Sequence, residues 1–117
     1  MTTLREVKIQ IEKYPKHWSI YLLDFVDEFR RSKNPAMIQA SFKGPSNRWA
    51  ALLASTAEFL CQELGMEVPE WIEKVPAVKD PWFVAGLNNL KAIALVESPL
   101  AFRHRKIFVM ENFLFRV

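Results

Sequence analysis

Few side chains of this sequence are suited to nucleophilic or metal chemistry, because it contains one cysteine, Cys61, and two histidines, His17 and His104. A transition-metal site needs clustered His, Cys and carboxylate ligands, whereas the two histidines lie far apart and neither has a ligand partner three or four residues further on. Cys61 lies within a long apolar helical pattern, and no His or Arg neighbours it in sequence to lower its pKa. We therefore expect an inert buried thiol and no metal site. A Cys–His pair brought together only by the fold is the one nucleophilic arrangement that the sequence leaves open.

Acid–base and nucleotide chemistry have equally weak support. Three carboxylates lie near the start of a predicted short helix, where the helix dipole favours acidic residues without any catalytic role: Glu67, Glu70 and Glu73. Phosphate-binding loops need two or three glycines within a few residues, and the three glycines of this chain are isolated from one another. We therefore predict a non-enzymatic protein with no cofactor.

The elements that position these residues are predicted to be helices. The chain has 117 residues, half of them apolar and a quarter charged, as in globular domains. Twelve Leu and eleven Ala against three Gly favour helices over sandwiches or barrels, which need many turn glycines and β-branched strands. We predict a single all-α domain over residues 1–117, with about five helices and a loop rich in Pro and Trp.

The first predicted element is ambiguous. Thr3 and Glu6 form a capping box for a helix over about residues 4–13, which Pro15 would end. Over the same stretch, Val7, Ile9 and Ile11 alternate with polar residues, and this period of two is typical of a strand. The sequence therefore leaves residues 4–13 open between a helix and a strand.

Two clearer helices follow. Apolar residues at helical spacing predict an amphipathic helix over Lys16–Lys33. The longest helix is predicted from an N-cap at Ser46 or Asn47 to Gly65 in the position after its last turn. No charge lies between Arg48 and Glu58, so we expect this helix to be central.

Prolines divide the remaining chain. They predict a short helix at Pro69–Glu73 and a turn at Pro81–Trp82–Phe83 that inserts aromatic side chains into the body. Apolar residues at helical spacing then predict a helix at Leu87–Glu97. Ser98 is the predicted N-cap of a short basic helix that contains Phe102, Arg103 and Arg105. The last apolar runs, residues 107–109 and 113–115, form a short hairpin or another helical turn.

The formal net charge of +3 comes from the last twenty residues. Residues 1–97 contain twelve basic and twelve acidic side chains, whereas the remainder carries Arg103, Arg105, Lys106 and Arg116 against Glu111 alone. Such a segment attracts phosphates or an acidic protein surface. The other interpretation is a solvated rim, in which the arginines pair with body carboxylates such as Glu67, Glu70, Glu73 and Asp80.

Aromatic residues beside this segment favour a binding surface. Four Trp and nine Phe exceed what so short a chain must bury, which indicates a patch covered by a second protein unless the core is simply rich in aromatics. The predicted partner is another protein or a second copy of this chain. The alternative is a nucleic-acid-binding regulator that uses the same basic run. The predicted interaction surface comprises Trp82, Phe83, Arg103, His104, Arg105, Lys106 and Arg116.

Several motifs in residues 48–117 form a recognisable set. Pro69–Glu70–Trp71, Pro81–Trp82–Phe83, the run ESPLAFRHRKIFV over residues 97–109 and the closing FLFRV resemble a family of small, uncharacterised bacterial proteins. In that family, such segments also follow helix-turn-helix regulator domains and occur beside nucleotidyltransferase-like toxins. The resemblance thus implies an antitoxin-like role with a toxin-like partner. This chain has no recognisable helix-turn-helix, which favours protein binding over direct DNA binding.

The sequence also predicts a location. No stretch approaches the ~18 consecutive apolar residues that cross a membrane, and no apolar segment typical of a signal peptide follows residues 1–6. A single cysteine cannot form an intrachain disulfide. We expect a cytoplasmic protein that is held together by packing and has no membrane partner.

Overall fold

The computed structural model describes residues 1–84, 95, 97–110 and 113–114, and most of these residues are helical. In chain order the elements are α1 (Leu4–Lys13), a 3₁₀ turn (Pro15–His17), α2 (Trp18–Ser32), a second 3₁₀ turn (Pro35–Ile38), α3 (Arg48–Leu64), α4 (Glu70–Glu73), β1 (Trp82–Phe83), α5 (Leu100–Arg103) and β2 (Ile107–Phe108). Most of the predicted helix at Leu87–Glu97 lies outside the described residues, within which Leu95 and Glu97 are helical.

Residues 4–13 form a helix and not a strand. The Thr3 hydroxyl accepts from the Glu6 amide at 3.2 Å and donates to the Glu6 carboxylate at 3.1 Å, which satisfies the first turn of α1. Val7 and Ile11 are buried, whereas Ile9, which a strand would place on the same face, is 52% exposed. The helical period therefore decides which apolar side chains reach the core.

Helix α3 lies at the centre of the hydrophobic core, as predicted. The Asn47 side chain accepts from the Ala50 amide at 3.0 Å, and Gly65 ends the helix in the left-handed conformation with φ of 67°. Ten of its seventeen residues are buried. Helices α1, α2, α4 and α5 all contact α3, and one cluster of buried apolar residues includes side chains from each of them.

The described part of the chain also contains a two-stranded parallel pair, which the all-α prediction lacked. Trp82 pairs with Ile107 and Phe83 with Phe108, and the Trp82 amide donates to the Lys106 carbonyl at 2.9 Å. The prediction of a turn at residues 81–83 was therefore wrong. Parallel strands need a connection of about a dozen residues or more, and residues 84–106 provide one.

The C-terminal segment differs from its prediction in three respects. β2 pairs with β1, while Phe113 and Leu114 lie in a turn and Phe115 lies outside the described residues. Ser98 is not a helix cap, because its hydroxyl accepts from the Val109 amide at 2.8 Å and donates to the Val109 carbonyl at 3.0 Å. Finally, α5 ends at Arg103, so Arg105 follows the helix in a turn.

Candidate interaction site

The structure separates the residues of the predicted interaction surface. Arg103, His104 and Lys106 are exposed, and Trp82 and Phe83 are half-buried. Arg105 is only 1% exposed, so it cannot belong to a surface that a partner reaches. Arg116 lies outside the described residues.

Arg105 is enclosed because the fold surrounds its guanidinium with acceptors. It donates through Nη2 to the Ile72 carbonyl at 2.7 Å and through Nε to the Val75 carbonyl at 3.1 Å. Nη1 lies 3.2 Å from both the Ser55 hydroxyl and the Glu58 carboxylate. Burial lowers the pKa of Arg105, and the charge of Glu58 and its hydrogen bond oppose that effect. Arg105 is therefore a structural residue that joins the segment before β1 to α3.

Glu58 is the carboxylate partner that sequence reasoning missed. The predicted partners were Glu67, Glu70, Glu73 and Asp80, of which Glu70 pairs with Lys74 at 3.0 Å on the exposed surface. Glu58 lies in α3, 47 residues before Arg105, and no local pattern relates the two positions.

His104 joins this cluster from its exposed side. Its Nε2 lies 3.1 Å from Glu58 Oε2 and 3.1 Å from Arg105 Nη1. Nε2 carries either a proton, which it donates to Glu58, or a lone pair, which accepts from Arg105. His104 is thus already engaged with groups of its own chain.

The contacts of Arg105 fix one wall of a cleft. The carbonyls of Ile72 and Val75 that it binds lie just before residues 76–82, and its own carbonyl accepts from the Val78 amide at 3.1 Å. Pairing of β1 with β2 fixes the other end of this wall. The wall faces the first turn of α3 across an open cleft of about 600 Å³, here named the Arg48 cleft, which is lined by Ser46, Asn47, Arg48, Pro76, Ala77, Val78, Lys79, Asp80, Pro81 and Trp82.

Arg48 is the most distinctive side chain of this cleft. Its guanidinium carbon lies 4.8 Å from the ring centroid of Trp49 and 5.0 Å from that of Trp82, while the two rings meet edge to face with centroids 5.5 Å apart. A cation over an indole face is stabilised by the ring quadrupole. The Arg48 side chain is exposed, and it forms no hydrogen bond or ion pair with another described residue. Its N–H donors are therefore open to solvent and to a binding partner.

Aromatic and basic residues continue past Arg48. The Trp18 and Trp49 rings lie 6.0 Å apart, and a second depression of about 430 Å³ extends along Lys16, Arg48 and Trp82. Among the residues that the structure describes, the charged ones that line the two depressions are Lys16, Arg48 and Lys79 against Asp80. This face is consequently basic, although the sequence placed the excess charge in the last twenty residues.

An apolar pocket borders the Arg48 cleft, with which it shares Ser46 and Pro76. It has a volume of about 260 Å³, and its other lining residues are Ser41, Phe42, Gly44, Pro45, Ala50, Trp71, Lys74 and Val75. Phe42 and Trp71 meet edge to face with centroids 4.9 Å apart, and the Trp71 indole donates to the Ile38 carbonyl at 2.9 Å. The aromatic walls of this pocket are therefore held in place by the core.

The candidate nucleophile lies away from these depressions. Cys61 is fully buried in α3, and burial, with a smaller effect of Glu58, raises the pKa of its thiol to about 11. Glu67 and Glu70 are exposed and line a shallow depression of about 410 Å³. Among the described residues, no three His, Cys, Asp or Glu side chains group closely enough to hold a metal ion.

No described helix combines the length and the apolar character that crossing a membrane requires. Comparisons of the chain with protein-family models, with curated proteins and with solved structures find no match.

Proposed function

We propose that this protein is a non-enzymatic interaction module that binds another protein through the Arg48 cleft. The observation that carries this proposal is the exposed guanidinium of Arg48, which lies within 5.0 Å of the ring centroids of both Trp49 and Trp82 in a cleft of about 600 Å³. Trp and Arg are the side chains that most often dominate the energy of protein interfaces. Stacking also restricts Arg48 before a partner arrives, which reduces the conformational entropy lost on binding.

The proposed surface overlaps only partly with the one predicted from sequence. Trp82 belongs to both, while Arg48 and Lys79 take the place of the C-terminal arginines. The resemblance stated from the sequence motifs, which no family model matches, makes a toxin-like protein one partner to look for.

Site-specific photo-crosslinking tests the proposal. Benzoylphenylalanine would replace Lys79, at the rim of the cleft, in the full chain expressed in its own cell. We expect one dominant crosslinked protein that disappears when Arg48→Gln is added. The same probe at Arg31, an exposed residue of α2 outside the lining of the cleft, is the matched control.

Binding of the purified partner completes the test. We expect Arg48→Gln to weaken binding at least about ten-fold, or roughly 1.4 kcal/mol, and Arg31→Gln to leave it unchanged. If Arg48→Gln changes neither the crosslinking nor the binding affinity of the partner, the proposal is overturned.

Nucleic-acid binding through the C-terminal segment is the alternative. Arg103 and Lys106 support it, because both are exposed. A mixed-sequence oligonucleotide at about 50 mM salt tests it, since phosphate contacts weaken steeply as salt rises. Salt-dependent binding that Lys106→Ala weakens would favour this alternative, and absence of binding would remove it.

A further inference from the structure

Resting on the proposed function, we infer that the partner presents a short segment in which an Asp or Glu side chain binds Arg48 and a nearby bulky apolar side chain enters the apolar pocket. The two sites are adjacent, because the cleft and the pocket share Ser46 and Pro76 as lining residues. A few residues of extended peptide therefore suffice to reach from one site to the other.

The acidic half of this inference follows from how Arg48 is held. Its guanidinium carbon lies over both the Trp49 and Trp82 rings, which are nearly perpendicular to each other, so the guanidinium plane can be parallel to only one of them. Because Arg48 is exposed and no other described residue accepts a hydrogen bond from its side chain, its N–H donors can bind the two oxygens of a carboxylate. Lys16 and Lys79 add positive charge along the same face, where Asp80 is the one acidic side chain among the described lining residues.

The same geometry argues against a nucleic acid as occupant of the cleft. Single-strand binders stack bases on free aromatic faces. Here Arg48 already lies over Trp49 and Trp82, so neither of these covered faces is a platform for a base. A base would have to displace the guanidinium, whereas a carboxylate binds it where it stands.

The apolar half follows from the shape and rigidity of the neighbouring pocket. Phe42, Trp71 and Val75 provide apolar walls to a space of about 260 Å³, which admits one large side chain such as Leu or Phe. Because the hydrogen bond of Trp71 to Ile38 anchors its ring, the pocket does not need to form on binding.

Selection from a random library of displayed twelve-residue peptides, against the immobilised full chain, tests this inference without assuming a partner. We expect the selected peptides to share an Asp or Glu within about four residues of a Leu, Phe or Trp. In the synthetic consensus peptide, exchange of the acid for its amide should weaken binding about ten-fold. Arg48→Gln should cause the same loss, and the two changes together should cause no more than either alone. Ser41→Trp, which narrows the apolar pocket, should weaken binding of the consensus but not of a version with alanine at the apolar position.

The other outcomes separate the two proposals. Peptides that need Arg48 but show no acidic preference would overturn the carboxylate inference and leave the proposed function standing. Failure to enrich any peptide would also overturn it, because a short segment would then not suffice, while the crosslinking experiment judges the proposed function independently. Selected peptides whose binding affinity changes with neither Arg48→Gln nor Ser41→Trp would count against both proposals. Displacement of the peptide by a twelve-residue oligothymidylate would identify a nucleic acid as the better occupant. The thermal stability of each variant is measured alongside, with Arg31→Gln as control.

Discussion

Replacing Arg105 by alanine is expected to destabilise the fold by about 4 kcal/mol. The side chain is 1% exposed, and its guanidinium donates to the carbonyls of Ile72 and Val75 and lies beside the carboxylate of Glu58. Its removal leaves both carbonyls without this donor, at about 1–3 kcal/mol for each buried group, and leaves the carboxylate of Glu58, itself only 13% exposed, without its cation. Breaking a buried ion pair from one side typically costs about 3–5 kcal/mol. For a domain of this size the loss corresponds to a fall in melting temperature of roughly 15 °C.

Urea unfolding followed by tryptophan fluorescence measures this loss, with the free energy of unfolding extrapolated linearly to water. Arg105→Lys keeps the charge but not the fork of donors, so we expect it to cost about half as much. Lys106→Ala changes an exposed neighbour and should cost less than about 0.5 kcal/mol. In NMR spectra, the signal of the Trp82 indole N–H should also shift in Arg105→Ala, because Arg105 anchors the segment that forms the wall of the Arg48 cleft.

A loss for Arg105→Ala within about 1 kcal/mol of that for Lys106→Ala would refute this reasoning. It would mean that the enclosed guanidinium contributes little net stability and that the wall of the Arg48 cleft is held by other contacts. If Arg105→Ala destabilises the fold but leaves the Trp82 signal unchanged, Arg105 stabilises the protein without positioning the wall of the Arg48 cleft.

Three further predictions concern α3. Burial raises the pKa of the Cys61 thiol from 9.0 to about 11, so the unfolded chain loses the thiol proton at a lower pH than the folded chain does. The contribution of Cys61 to the free energy of unfolding should therefore be complete below about pH 9 and fall by roughly 3 kcal/mol as the pH rises towards 11. Urea titrations of Cys61→Ala should lack that share of the pH dependence, and an identical profile would contradict it. Gly65→Ala should cost about 1 kcal/mol in the same assay, because φ is 67° and nothing lies within 4 Å of an added Cβ; a larger loss would reveal a steric contact. Asn47→Ala removes the cap bond to Ala50 and a 2.7 Å bond to Glu12, so we expect a loss of about 1–2 kcal/mol. Asn47→Ser keeps an oxygen that can cap the helix and adds no charge beside Glu12, so it should cost less, and an equal loss in both variants would argue against capping.

Local chemistry made part of this fold predictable. The hydroxyl of Thr3 and the carboxylate of Glu6 lie one helical turn apart, and the caps of α3 at Asn47 and Gly65 depend on the conformation of adjacent residues only. These signals marked the start of α1 and both ends of α3, although the sequence left residues 4–13 open between helix and strand and the cap of α3 open between Ser46 and Asn47. The uncharged stretch of α3 likewise predicted its central position, since burial of charge is costly wherever the helix packs.

The same reasoning failed where function depends on distant partners. A basic run in sequence predicted an exposed basic surface, yet Arg105 turns inward because Glu58 and the carbonyls of Ile72 and Val75 meet it from elsewhere in the chain. The turn expected at Trp82 became a strand because the segment at Ile107 offered its backbone.

The sequence by itself determined the helical character of most of the chain, the end of α3 at Gly65 and the buried faces of α2 and α3, because these follow from the spacing and type of neighbouring residues. Only the tertiary structure decided which arginine is enclosed and which is presented to a partner. Arg48 and Trp82 are 34 positions apart, and their stacking exists only because α3 and the strand pair pack side by side. Ion pairing and stacking act over a few ångströms of space, and the order of residues along the chain does not encode those distances directly.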